Sequence, residues 1–104
     1  LLELCRTPEL AAQVTRQPVD AIEVDAAILF SDLLLPLEPM GLSFDFVKGE
    51  GPAFDNPVRS AADVERVRPI DPAESLSYVL DTIRGLKVDL TLPLIGFVGA
   101  PFTL

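Results

Sequence analysis

Asp32 is the side chain in this sequence best placed to do chemistry. It follows Val24–Phe30, a run of apolar and β-branched residues carrying one charge, Asp25, and it stands directly after Phe30 and Ser31. In parallel β/α proteins the strand tips converge on one pocket, so a carboxylate there can stabilise positive charge developing on a bound molecule. An aspartate after a strand also caps turns and helices, and position alone favours that structural role. By spacing alone, Phe30 belongs to a core and Ser31 to a turn.

Other constellations fall away on the types of residue present. There is no histidine to activate Ser31, so a serine-hydrolase role fails for want of a base. Asp45 with Glu50, and Asp63 with Glu65, sit in expected turns or on an exposed helix, and their spacing specifies no glycosidase pair. Gly49-Glu50-Gly51 is too short for a phosphate loop and no Lys-Ser/Thr follows it. Cys5 is the only cysteine, which excludes an intrachain disulfide and, without histidine, a Cys/His zinc cluster. It reads as a small buried side chain in a protein of a reducing compartment.

The elements that must position Asp32 are marked by their end signals. Thr7-Pro8-Glu9 predicts a helix with a hydroxyl at the N-cap, Pro at the first helical position and an acid near the positive end. Leu10, Val14 and Ile22 suggest its apolar stripe, and Pro18 is expected to kink or break it. Val24–Phe30 then predicts a parallel strand covered on both faces. Leu42, Phe44 and Phe46 alternate with polar residues, and turn residues 48–52 precede Ala53-Phe54, so a hairpin follows. Ser60 with Asp63 opens a short helix ending before Pro69. Asp71-Pro72-Ala73-Glu74 opens a longer one, whose buried face carries Leu76, Val79, Leu80, Ile83 and Leu86. Pro93–Val98 predicts a second buried strand, broken by Gly99–Leu104.

This order is α/β, with a helical crossover joining two parallel strands. A closed eight-unit barrel takes about 250 residues, so the chain holds about two β/α units at most. It is either a small open α/β protein or part of a larger one. Leu1 in place of Met leads us to expect residues upstream.

Composition narrows the partners. An apolar share of 49% and a charged share of 23% suit a globular chain rather than a disordered one. The net charge is −8, from 16 acidic against 8 scattered basic residues, which offers no patch for nucleic acid. Apolar runs reach only about five residues where a membrane span needs about 20, and the first residues shown lack the basic stretch and apolar core of a signal peptide. No membrane partner is expected.

Longer stretches carry a resemblance. Leu2–Ala11 followed by Gln17-Pro18-Val19 is similar to the helix before the second strand of uroporphyrinogen decarboxylases. Phe30-Ser31-Asp32-Leu33-Leu34, with Pro36-Leu37-Glu38 and Met40-Gly41, resembles that family's signature segment. Gly49–Pro52, Asn56–Arg59, Asp63-Val64 and Phe97–Leu104 continue the match across the chain, with Phe102 where many members carry tryptophan.

The resemblance implies that residues 1–104 are an N-terminal part of one (β/α)8 TIM-barrel domain, about two β/α units with an inserted hairpin. It implies cytoplasmic, cofactor-free and metal-free decarboxylation of the four acetate side chains of uroporphyrinogen to methyls, giving coproporphyrinogen. Asp32 then faces the pyrrole N–H groups of this tetrapyrrole substrate, Phe30 and Ser31 line the cleft beside it, and the loop after Val98 lies near the same mouth, with Gly99 giving backbone clearance. Arginines for the substrate carboxylates are expected upstream of Leu1, and Tyr, Ser/Thr and His contributions downstream of Leu104. A homodimer is implied for the whole enzyme. Two other functions stay open: a corrinoid- or zinc-dependent methyltransferase of the same barrel superfamily, for which Cys5 is expected far from the strand tips, and a β/α module kept for protein association.

Overall fold

The computed structural model describes residues 1–104. Two helices lead in, α1 (Leu2–Arg6) and α2 (Pro8–Ala21). Pro8 opens α2 as expected, with Glu9 in its first turn. The Thr7 hydroxyl does not cap it, however; it turns back and donates to the Glu3 carbonyl at 2.9 Å, closing α1 instead.

Of the kink or break expected at Pro18, the break does not occur, and α2 runs on to Ala21. It stands in the last turn, where its missing N–H forfeits one hydrogen bond, and its own carbonyl accepts the Ile22 N–H at 3.0 Å. The buried stripe also differs. Ala11 and Thr15 are the buried residues of α2, while Leu10 and Ile22 are exposed.

Strand β1 (Ala27–Ile28) pairs in parallel with β4 (Leu94–Ile95), with Ala27 opposite Leu94 and Ile28 opposite Ile95. The Ala27 N–H donates to the Pro93 carbonyl and the Leu29 N–H to the Ile95 carbonyl, both at 2.9 Å. Both strands are shorter than the apolar runs Val24–Phe30 and Pro93–Val98. Burial is one-sided as well. Ala27 and Leu29 are buried, whereas Ile28 is 64% exposed and Ile95 49% exposed, so α2 covers one face of this pair and nothing in the chain covers the other.

Between the parallel strands the chain makes a 3-10 turn (Leu35–Leu37) and an antiparallel hairpin, β2 (Phe44–Val47) and β3 (Gly51–Phe54). The expected turn is here, and Gly49 and Gly51 both take φ of +88°, a conformation that β-carbons disfavour. Leu37, Leu42 and Phe44 form a core, with Phe44 packing on Phe54 at a ring separation of 5.4 Å. The hairpin is thus anchored to the 3-10 turn that follows Asp32.

Helix α3 (Ala61–Glu65) begins at Ser60, whose Oγ accepts the Asp63 N–H at 3.2 Å and donates to its carboxylate at 2.8 Å. The Arg59 N–H also donates to that carboxylate at 3.0 Å. These two bonds, with Arg66 nearby, hold the Asp63 carboxyl below its ordinary value of 3.8. A depressed folded-state pKa contributes stability above the unfolded value, and that contribution is lost as pH falls through the folded value. Titration of Asp63 by NMR is expected to give a midpoint below 3.8, and Ser60→Ala to raise it; a midpoint unmoved by Ser60→Ala contradicts the cap.

The helix expected from Asp71 is two helices. Asp71 Oδ1 accepts the Ala73 N–H at 2.9 Å and starts α4 (Pro72–Ser75), but Leu76 at φ −121°, ψ 29° interrupts it before α5 (Ser77–Asp89). Thr82 and Leu86 are the buried residues of α5. Burying a leucine as completely as Leu86 contributes about 1.5–3 kcal/mol. The helix packs against α2, and Arg16 reaches across to Asp89 at 2.9 Å. The architecture is α/β: two parallel strands joined by a crossover that contains both a hairpin and helices.

Candidate active site

Asp32 stands where β1 has just lost its ladder. The last ladder bond is made by Leu29, the Phe30 N–H passes to the Thr15 hydroxyl at 2.8 Å, and the chain then turns away from the sheet. Asp32 Oδ1 accepts the Leu34 N–H at 2.8 Å and its carbonyl accepts the Leu35 N–H at 3.4 Å, which starts the 3-10 turn. The turn-capping and chemical roles weighed for Asp32 are therefore compatible, because the cap uses one carboxylate oxygen.

Ser31 and Asp32 share a cleft of about 190 Å³. Its other walls are mostly apolar, including Leu33, Leu35, Val79, Phe97 and Val98, and Asp32 is the only ionisable side chain lining it. Apolar walls leave the carboxylate as the one group there that can answer a bound cation, and its pull grows as water is excluded. The loop after β4 does reach this mouth, through Val98 and Gly99. A β-carbon at Gly99 would approach the Leu104 side chain at 2.9 Å, so the clearance there is from a movable side chain rather than from backbone.

Phe30 is placed differently. It lines a separate hollow of about 450 Å³, with Val14, Pro18 and Val24, and this hollow meets the Asp32 cleft at Ser31 and Phe97. The structure thus brings Ser31 and Asp32 together and sets Phe30 behind them.

Two residues near the site escaped the sequence. Thr15 looked like an ordinary helical position; its spacing of four from buried Ala11 was the one available signal. Cys5 is buried as expected, but it is not remote from the strand tip. Burial pushes its thiol pKa up, and the nearby Asp32 charge pushes it further, which places the two groups within electrostatic reach. Beside Cys5, the phenol of Tyr78 is also raised by burial, against the opposing charge of Arg6, which pairs with Glu38. No group of three His, Cys, Asp or Glu side chains is close enough to share a metal ion.

The sequence profile of the family described as uroporphyrinogen decarboxylase (URO-D) matches residues 1–104. The chain belongs to the uroporphyrinogen decarboxylase family. Among its relatives, the uroporphyrinogen decarboxylase of Geobacter metallireducens is 65% identical over 105 residues, covering 99% of this chain. That of Geobacter sulfurreducens is 63% identical over the same share, and that of Sorangium cellulosum 58% identical over 100% of the chain. In each case the aligned segment is 30% of the relative's length. No helix of the chain is long and apolar enough to cross a membrane.

Proposed function

We propose that this chain is the Asp32-bearing part of a cytoplasmic uroporphyrinogen decarboxylase, within a single (β/α)8-barrel domain that acts as a homodimer. The observation that carries this reading is a carboxylate held at a parallel strand tip, alone among apolar walls, in a chain matched by the family along residues 1–104. Two parallel strands joined by a helix-containing crossover, with α2 against β1, support this reading.

The chemistry follows from that charge. A proton adds to a pyrrole ring carbon beside an acetate arm, forming a C–H bond and leaving the ring cationic. The Asp32 carboxylate faces the pyrrole N–H groups and stabilises the cation. The bond to the carboxylate carbon then breaks, CO2 leaves, and its electron pair neutralises the ring as an exocyclic methylene. A second proton converts that methylene to methyl, and loss of the first restores the pyrrole. One proton enters and one CO2 leaves for each arm. The substrate itself is the electron sink, so neither metal nor pyridoxal is required. Apolar walls keep water from screening the charge pair. Ser31 contacts substrate beside Asp32, and Phe30 supports it from the adjoining hollow.

The test is to place these residues in the corresponding segment of the Geobacter metallireducens relative and to follow uroporphyrinogen by chromatography. Coproporphyrinogen is the expected product, through intermediates with seven, six and five carboxylates. Absence of conversion, in a folded chimera whose parent is active, overturns the proposal. Stoichiometric zinc with methyl transfer would instead favour the related methyltransferases.

A further inference from the structure

We infer that Thr15 is a positioning residue for the Asp32 carboxylate; this rests on the decarboxylase function proposed above. Side-chain hydroxyls within helices commonly donate back to the carbonyl four residues earlier, and Thr15 does so to Ala11 at 2.8 Å. What sets it apart is its other capacity. The same oxygen, on a residue only 3% exposed, accepts the backbone N–H of Phe30 at 2.8 Å.

Strand geometry explains the need for that bond. The N–H groups of Ala27 and Leu29 point towards β4 and are taken by its carbonyls. Alternation sends the Phe30 N–H away from β4. That donor must be paired at the point where the chain leaves the sheet in a fixed direction. Thr15 supplies the acceptor from α2 and so ties the strand exit to the helix that covers the sheet.

Two residues later comes Asp32, whose own anchor, the Leu34 N–H, lies downstream. The segment carrying the carboxylate is thereby held at both ends, by Thr15 before it and by the 3-10 turn after it. The turn occupies one carboxylate oxygen, Oδ1, and leaves Oδ2 for the substrate. A displacement of about 1 Å at such a group can cost on the order of 100-fold in rate.

The experiment uses the complete protein with T15V and T15S. Valine keeps the shape and removes the hydroxyl, whereas serine keeps the hydroxyl. For T15V, kcat is expected to fall about 10- to 100-fold with KM within about twofold, and T15S to restore kcat to within about threefold of the unsubstituted protein. A merely structural threonine would leave kcat per folded molecule unchanged in T15V, and that result overturns the inference, as does T15S no better than T15V. Hydrogen exchange supplies a readout that needs neither activity nor a folded variant. In the unsubstituted protein the Phe30 amide should be protected to a degree comparable with Leu29, and rapid Phe30 exchange overturns the anchoring. If the unsubstituted protein fails to decarboxylate uroporphyrinogen, the functional proposal falls while the Phe30 measurement still decides the anchoring.

Discussion

Asp32→Asn is expected to lower kcat by about 100- to 1000-fold in the complete enzyme, the scale seen when one preorganised electrostatic group is removed from a water-poor site. The substitution isolates charge from structure. Asn retains an oxygen that can accept the Leu34 N–H now held by Asp32 Oδ1 at 2.8 Å, so the turn leading into Leu35–Leu37 survives. What it loses is the negative charge that would oppose the ring cation in a cleft with no other ionisable side chain. Circular dichroism and thermal unfolding should therefore match the unsubstituted enzyme while turnover collapses. KM should change less than kcat, because the cation exists after protonation and not in the bound ground state. Turnover within twofold of the unsubstituted enzyme would remove Asp32 from the mechanism and return it to the turn-capping role that its position alone suggested.

How much of this was legible in the sequence depends on how local the responsible interactions are. Ser60 with Asp63, and Asp71 with Ala73, are caps made within a few residues, and both form as their sequence signals state. The hairpin is similarly local, because its turn glycines and alternating phenylalanines lie within a dozen residues of one another. Strand extent was not legible, since pairing depends on a partner far along the chain; β1 and β4 pair over two residues each even though longer apolar runs surround them. Pro18 did not break the helix because a proline's effect depends on how much helix follows it; it forfeits its own N–H bond, but α2 has only to reach Ala21 beyond it. At the site, Asp32 could be found from its neighbours in sequence. Thr15 and Cys5 could not, because their bearing on Asp32 arises only once α2 packs against β1 and α1 against α2.

The 104-residue chain by itself is expected to decarboxylate uroporphyrinogen at least about 1000-fold more slowly than the complete enzyme, because it lacks both the means to orient the substrate and the means to exclude water. The substrate carries eight carboxylates, and the chain carries a net charge of −8. No Lys or Arg lines the Asp32 cleft to offset that repulsion. Arg6, Arg16, Arg66 and Arg84 are each engaged with an acidic side chain elsewhere. The open side of the parallel pair compounds the problem. Ile28 is 64% exposed and Val98 92% exposed, so the face that should stay dry around a charged intermediate is open to water. The chain is also extended, with a radius of gyration of 15.5 Å where about 13 Å is usual for a compact domain near this length. Only 11 of its 104 residues are buried, too few to enclose a macrocycle as well as hold the fold. Adding the rest of a relative, outside the aligned segment, supplies the missing walls in the proposed barrel and should restore turnover, whereas adding salt, which relieves only the repulsion, should not. Product formation by the 104-residue chain within tenfold of the complete enzyme would show that the Asp32 cleft is self-sufficient and that the proposed barrel is unnecessary for the reaction.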